Sequence, residues 1–295
     1  MLTRKDFTKP KIFRQHGLEL YHFECTCPRC EKDLDVYQAA HASQLVPLNS
    51  FSFVPDPQTL VNPDIDLATS RDPAFRALVD KTYAACAPEA RVSPEERLAS
   101  LRGQWRLCQP LVRARMWAAE PLAHIFQGAI NYYVEQQNYP HALCLECFVA
   151  IHSDPFKYVA PFMPWRLKGL LMIAKTLTNT AVASAQGLRN VHPGVVAALE
   201  KTDEGSLYQS ILLMVLHYGA MGHSTEWEIL NDSREMLTDI ESLEARRTES
   251  EILREWIKNP EHPAASFFFR ERALEPVARL AGLALDIIEA DLEPK

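Results

Sequence analysis

Three cysteines, Cys25, Cys27 and Cys30, fall within six residues of the segment Tyr21-His-Phe-Glu-Cys-Thr-Cys-Pro-Arg-Cys30. Thiols at that spacing suit a metal ion. Zinc takes four soft or borderline ligands in a tetrahedron, and a Cys-x-x-Cys step lets two thiolates reach one ion without straining the backbone. The run therefore supplies three ligands and calls for a fourth. Candidates within the chain are His16, His22, His41, Cys86, Cys108 and the pair Cys144 and Cys147. That pair has its own Cys-x-x-Cys spacing, but it falls inside a predicted helix, where a buried packing role suits it better. Arg29, His22 and Glu24 flank the cysteines without forming the Cys-His pair and orienting acid that a nucleophile needs.

Other chemistry is sparse. No Gly-rich phosphate loop, His-Glu-x-x-His or Gly-x-Ser-x-Gly signature is present. A net charge of -7 argues against nucleic acid as the principal ligand. The basic residues ahead of the cysteines (Arg4, Lys5, Lys9, Lys11, Arg14) read as a solvated edge. Seven cysteines, an odd number without an apolar leader, fit a reducing compartment, so a cytoplasmic or nuclear location is expected. The longest apolar run, Ile211 to Leu216, is too short to span a membrane.

The elements that would position the cysteines divide the chain in three. Residues 1–40 hold the cysteine cluster, and residues 41–90 form an extended, Pro-containing connector with some helix. Residues 91–295 form a helical body. Ser93-Pro94-Glu95-Glu96 has the form of a capping box, as does Thr225 with Glu228. Helical periodicity covers Pro121–Gln136, His141–Ile151, Trp165–Thr180, Gly205–Tyr218, Thr225–Leu243, Ser250–Lys258 and Ala273–Leu292, with a stop at Asn259-Pro260. The only hint of strand alternation is Phe51 to Val54. The expected fold class is all-α, built from antiparallel helical hairpins. Leu143, Cys147, Ala150 and Pro155 match the second helix of a tetratricopeptide unit, though no second copy follows at a similar period. Tyr132, Tyr133, Tyr139, Trp165 and Phe267 to Phe269 are expected to pack in the core or between hairpins.

The order Arg14-Gln15-x-x-Leu18, Tyr21-x-Phe23, Cys25-x-Cys27-x-x-Cys30 resembles the end of the SET domain and the post-SET motif of SMYD-type (SET and MYND) proteins. Cys27-Pro-Arg-Cys30, followed by Asp33-Leu-Asp-Val-Tyr37, is similar to the fungal branch. That family also carries a tetratricopeptide-like helical C-terminal domain, so the resemblance extends over nearly the whole chain. Its members are protein-lysine methyltransferases that use S-adenosylmethionine. The resemblance implies that Cys25, Cys27 and Cys30 are post-SET zinc ligands, that Tyr21 lines the lysine channel, and that Phe23 packs beside cofactor and channel. The family's Asn-His-x-Cys motif, whose Cys is the fourth zinc ligand, does not occur here, nor does its Gly-Glu-Glu segment followed by the catalytic Tyr. The expectation is a truncated member of the family, inactive by itself, with a three-cysteine zinc site of low occupancy. S-adenosylmethionine would bind only to a full-length form. An alternative is a non-catalytic interaction module that holds proteins or peptides in a helical groove.

Overall fold

Capping side chains and prolines start most helices where the sequence places them. Ser93 Oγ accepts from the Glu96 N–H at 3.3 Å, and the Glu96 carboxylate accepts from the Ser93 N–H at 2.8 Å. Pro94 fills the first helical position, where its missing N–H costs nothing. Asn138 accepts from the His141 N–H, and Asp203 from the Ser206 N–H, opening two further helices in the same manner.

The computed structural model describes residues 10–19, 24–43, 72–86, 93–185, 190–259 and 262–293. The fold is all-α, with no strand among the described residues. The helices are α1 (Lys11–Glu19), α2 (Pro28–Glu31), α3 (Val36–Ser43), α4 (Pro73–Ala85), α5 (Pro94–Leu107), α6 (Gln109–Arg113), α7 (Leu122–Glu135), α8 (Tyr139–His152) and α9 (Asp154–Lys157). Then follow α10 (Pro164–Ala185), α11 (Pro193–Glu200), α12 (Glu204–Gly222), α13 (Glu228–Glu241), α14 (Glu244–Lys258), α15 (Pro263–Phe269), a π turn (Arg270–Leu274), α16 (Glu275–Ala281) and α17 (Ala284–Leu292).

Helix α8 is the hub. Its run Leu143-Cys-Leu-Glu-Cys-Phe148 is buried on every face, because α7, α10 and α16 surround it. A helix apolar all round has no solvent side and must lie inside. Phe126 and Phe148 stack at 4.9 Å between α7 and α8, and Trp117 meets both edge-on. Helix α12 plays a similar part for α10, α13 and α14. Cys144 and Cys147 are fully buried among these contacts, as packing thiols should be.

The structure departs from the sequence reading at several points. Helix α13 begins at Glu228 behind Trp227 without a side-chain cap; the Thr225 hydroxyl bonds Glu226 instead, so the expected capping box is not made. The last segment is not one helix. A π turn at Arg270–Leu274 and a break at Gly282 and Leu283 divide it, which lets successive pieces turn onto α8 and α14. Helices α1 and α11 stand where no helix is expected, α4 is helix within the connector, and Phe267 and Trp165 are exposed rather than packed inside. Most of the expected connector, including Phe51 to Val54, lies outside the described residues.

Candidate metal centre

The cysteine turn is built from backbone rules before any metal is considered. Pro28 opens the single-turn helix α2, with Cys27 as its extended N-cap. The Cys27 carbonyl accepts from the Glu31 N–H, and the Arg29 carbonyl from the Leu34 N–H. This places Cys27 at the mouth of the turn, exposed, and Cys30 one turn on, buried.

Helix α1 holds the other end. The Gln15 amide receives the Cys25 N–H at 3.2 Å and donates to the Cys25 carbonyl at 3.1 Å. One side chain thus satisfies both backbone groups of a ligand residue, as a neighbouring strand would. Helix α3 then anchors the unit to the body. The buried Tyr37 hydroxyl accepts from the Ala118 N–H at 2.8 Å, and its ring lies 4.8 Å from that of Phe156 on α9.

These restraints bring the three sulfur atoms within 4.8 Å of one another. Thiolates around a single zinc stand about 3.8 Å apart, given a zinc–sulfur bond of about 2.3 Å, so a small closure would seat one ion. The cluster could hold a metal ion, and its all-sulfur donor set is compatible with zinc. Among the described residues no fourth His, Cys, Asp or Glu joins it. His16 is exposed on α1, while Cys86, Cys108, Cys144 and Cys147 stand elsewhere in the fold.

The thiols differ in character. A hydrogen bond from the Cys30 backbone N–H holds the Cys27 thiol below its ordinary value, as at a helix start. Burial pushes Cys30 up to about 11, with hydrogen bonding to Cys25 adding to the effect and the Arg14 charge opposing it. Arg14 departs from the sequence reading, since it is only 5% exposed rather than part of a solvated edge. Arg14 and Gln15 were not singled out as site residues. Their adjacency on a short helix just before the cysteines was the available signal, but it does not reveal which side faces the turn. Tyr21, Phe23 and His22 lie outside the described residues, as does the side chain of His41.

Among the described residues no helix is long and apolar enough to cross a membrane. Comparison with protein-family models, with curated proteins and with solved structures gives no match in any of the three.

Proposed function

We propose that the chain carries the post-SET and helical C-terminal parts of a SMYD-type protein-lysine methyltransferase, with Cys25, Cys27 and Cys30 as three ligands of its zinc. The observation that carries this reading is the convergence of the three sulfurs in the order Cys-x-Cys-x-x-Cys. The helical body that follows supports it. In this reading the zinc acts as a cross-link, fixing the segment Tyr21–Phe23 that would line the lysine channel. S-adenosylmethionine would supply the methyl group in the full-length enzyme. The Asn-His-x-Cys motif does not occur in residues 1–295, so methyl transfer is assigned to a longer form and not to these residues alone.

Zinc per purified chain, measured by plasma mass spectrometry, tests the metal assignment. The expectation is sub-stoichiometric zinc that falls to background when Cys25, Cys27 and Cys30 are all changed to Ser. Zinc content unaltered by that change would remove the site. Labelled S-adenosylmethionine should give no transfer to lysine with this chain, and clear turnover by it would overturn the division of labour.

A second reading, a non-catalytic interaction module, draws on Trp165 and Met172. They are both exposed and stand seven residues apart on one face of α10. If that face binds a partner protein, Trp165→Ala should abolish the co-purification of a reproducible partner while leaving zinc content unchanged.

A further inference from the structure

Two thiols outside the metal centre meet where α4 reaches the helical body. Cys86 follows α4 as its C-cap, and Cys108 stands between α5 and α6, ending one helix and opening the next. The Cys108 thiol hydrogen-bonds to the Cys86 sulfur. Cys108 is fully buried, whereas Cys86 is only partly buried at the edge of the core. A small oxidant thus has access to Cys86 and not to its neighbour. Cys144 and Cys147 differ in this respect, since both are fully buried on the hub helix.

The backbone holds one member of the pair and leaves the other room to move. The Cys108 N–H donates to the carbonyls of Gln104 and Trp105 at 3.0 and 3.1 Å, and its own carbonyl accepts from Leu111 and Val112 at 2.8 and 3.0 Å. Cys86 has already left the helix, with φ −85° and ψ 84°. A thiol contact must shorten to about 2.05 Å to become a disulfide. That movement falls to Cys86, at a helix end where backbone yields most easily. The electrostatics assign the order of events. Burial raises both thiols, but the hydrogen bond between them lowers Cys86 and raises Cys108, so Cys86 loses its proton first. The thiolate is the form that attacks an oxidant.

We propose that Cys86 and Cys108 are a reversible redox pair, in which hydrogen peroxide oxidises Cys86 and Cys108 closes the disulfide. In the first step the Cys86 thiolate attacks one peroxide oxygen, the O–O bond breaks and hydroxide leaves. In the second, the Cys108 sulfur attacks the sulfur of the Cys86 sulfenic acid. The S–O bond breaks, and water departs with the Cys108 proton. The two thiols have then given two electrons to the peroxide, and a small dithiol returns them. The bond would act on the mount of the metal centre. Helix α4 braces the cysteine turn through Arg76, 3.3 Å from Asp33, and through Tyr83, whose ring lies 4.5 Å from Phe13 on α1. Oxidation ties the far end of that brace to α5. The pair depends neither on the methyltransferase reading nor on zinc.

Peptide mapping of the folded full chain tests the proposal. The protein is treated with hydrogen peroxide, its remaining thiols are blocked, and it is digested with trypsin without reduction. Residues 82–91 and 107–113 each hold one cysteine, so the disulfide gives a single cross-linked species that dithiothreitol separates. That species should exceed every pairing of Cys86 or Cys108 with another cysteine, and hydrogen exchange in α4 should slow about tenfold or more on oxidation. Cys108→Ala removes the resolving thiol and should leave Cys86 as a sulfenic acid that dimedone traps. Absence of the cross-linked species, or a folded Cys108→Ala chain whose Cys86 takes up no dimedone, overturns the proposal. The peptide map uses the unmutated protein, so it decides the matter even if the variant fails to fold. Cys25, Cys27 and Cys30 fall in other tryptic peptides, which keeps their oxidation apart from this result.

Discussion

Glu146 sits on the hub helix α8, is only 6% exposed, and accepts a hydrogen bond from Thr176 Oγ1 on α10 at 3.1 Å. Its second oxygen, Oε2, is buried without a partner. Burial pushes this carboxyl up to about 8 from its ordinary 4.5, with only the Thr176 bond pulling the other way. Between those two values the folded protein holds a proton that the unfolded chain has released. Stability therefore falls as pH rises through that window and levels off above it. At about 1.4 kcal/mol per pH unit, the cost at neutral pH is about 3 kcal/mol, and the loss from about pH 5 to about pH 8 is about 4 kcal/mol. Glu146→Gln removes the titration and keeps an oxygen for Thr176. It places an amide N–H where no acceptor stands, costing about 1 kcal/mol of the gain. The variant should thus be about 2 kcal/mol more stable near pH 7, with an advantage that grows with pH and vanishes near pH 5. Urea unfolding followed by tryptophan fluorescence, run on both proteins across that range, reads the difference directly. Asp154, also raised by burial, to about 6, titrates in both proteins and cancels. Parallel pH profiles, or a variant less stable by a constant amount at every pH, would refute the reasoning that Glu146 folds as the neutral acid.

Other substitutions probe the scaffold. Tyr37→Phe leaves the buried Ala118 N–H without its acceptor and should cost about 1–3 kcal/mol in denaturant unfolding. Ser93→Ala breaks the capping box of α5 and should cost about 1 kcal/mol, with hydrogen exchange in the first turn of α5 speeding up accordingly. Gly219→Ala would drive a methyl into the buried Leu230 side chain where α12 meets α13. It should lower stability by about 1–3 kcal/mol in thermal unfolding, despite the better helix propensity of Ala.

The all-α class was legible because a capping box and apolar periodicity agreed over the body: Ser93 with Glu96, and the apolar runs of α8 and α12. Cys144 and Cys147 were placed in the interior for the same reason. The Thr225 cap failed because Ser224 and Glu226 offered competing local hydrogen bonds, and Trp227 started the helix. Phe267 resembled a core residue by type, but on α15 it is Phe269 that turns inward onto Trp256, and a residue two positions away on a helix faces nearly the opposite side. At the cysteines, spacing alone named the donor set. What holds that set together, Gln15 on one side and Tyr37 on the other, required knowing which helix faces which, and short helices such as α1 and α3 carry too few turns to declare it.

The closure of the C-terminal helices onto α8 also sets a timetable for synthesis. Asp291 on α17 accepts from the Tyr133 hydroxyl at 2.7 Å, across 158 residues of chain, and its carbonyl accepts from Arg102 at 2.8 Å. Helix α8 therefore leaves the ribosome long before α16 and α17 exist to cover it. At a translation rate of about 5–20 residues per second, that face waits roughly six to thirty seconds in the open. In that interval α7 and α10 can cover only their own sides of α8, and a transcript ending before α16 would leave the remaining side open permanently.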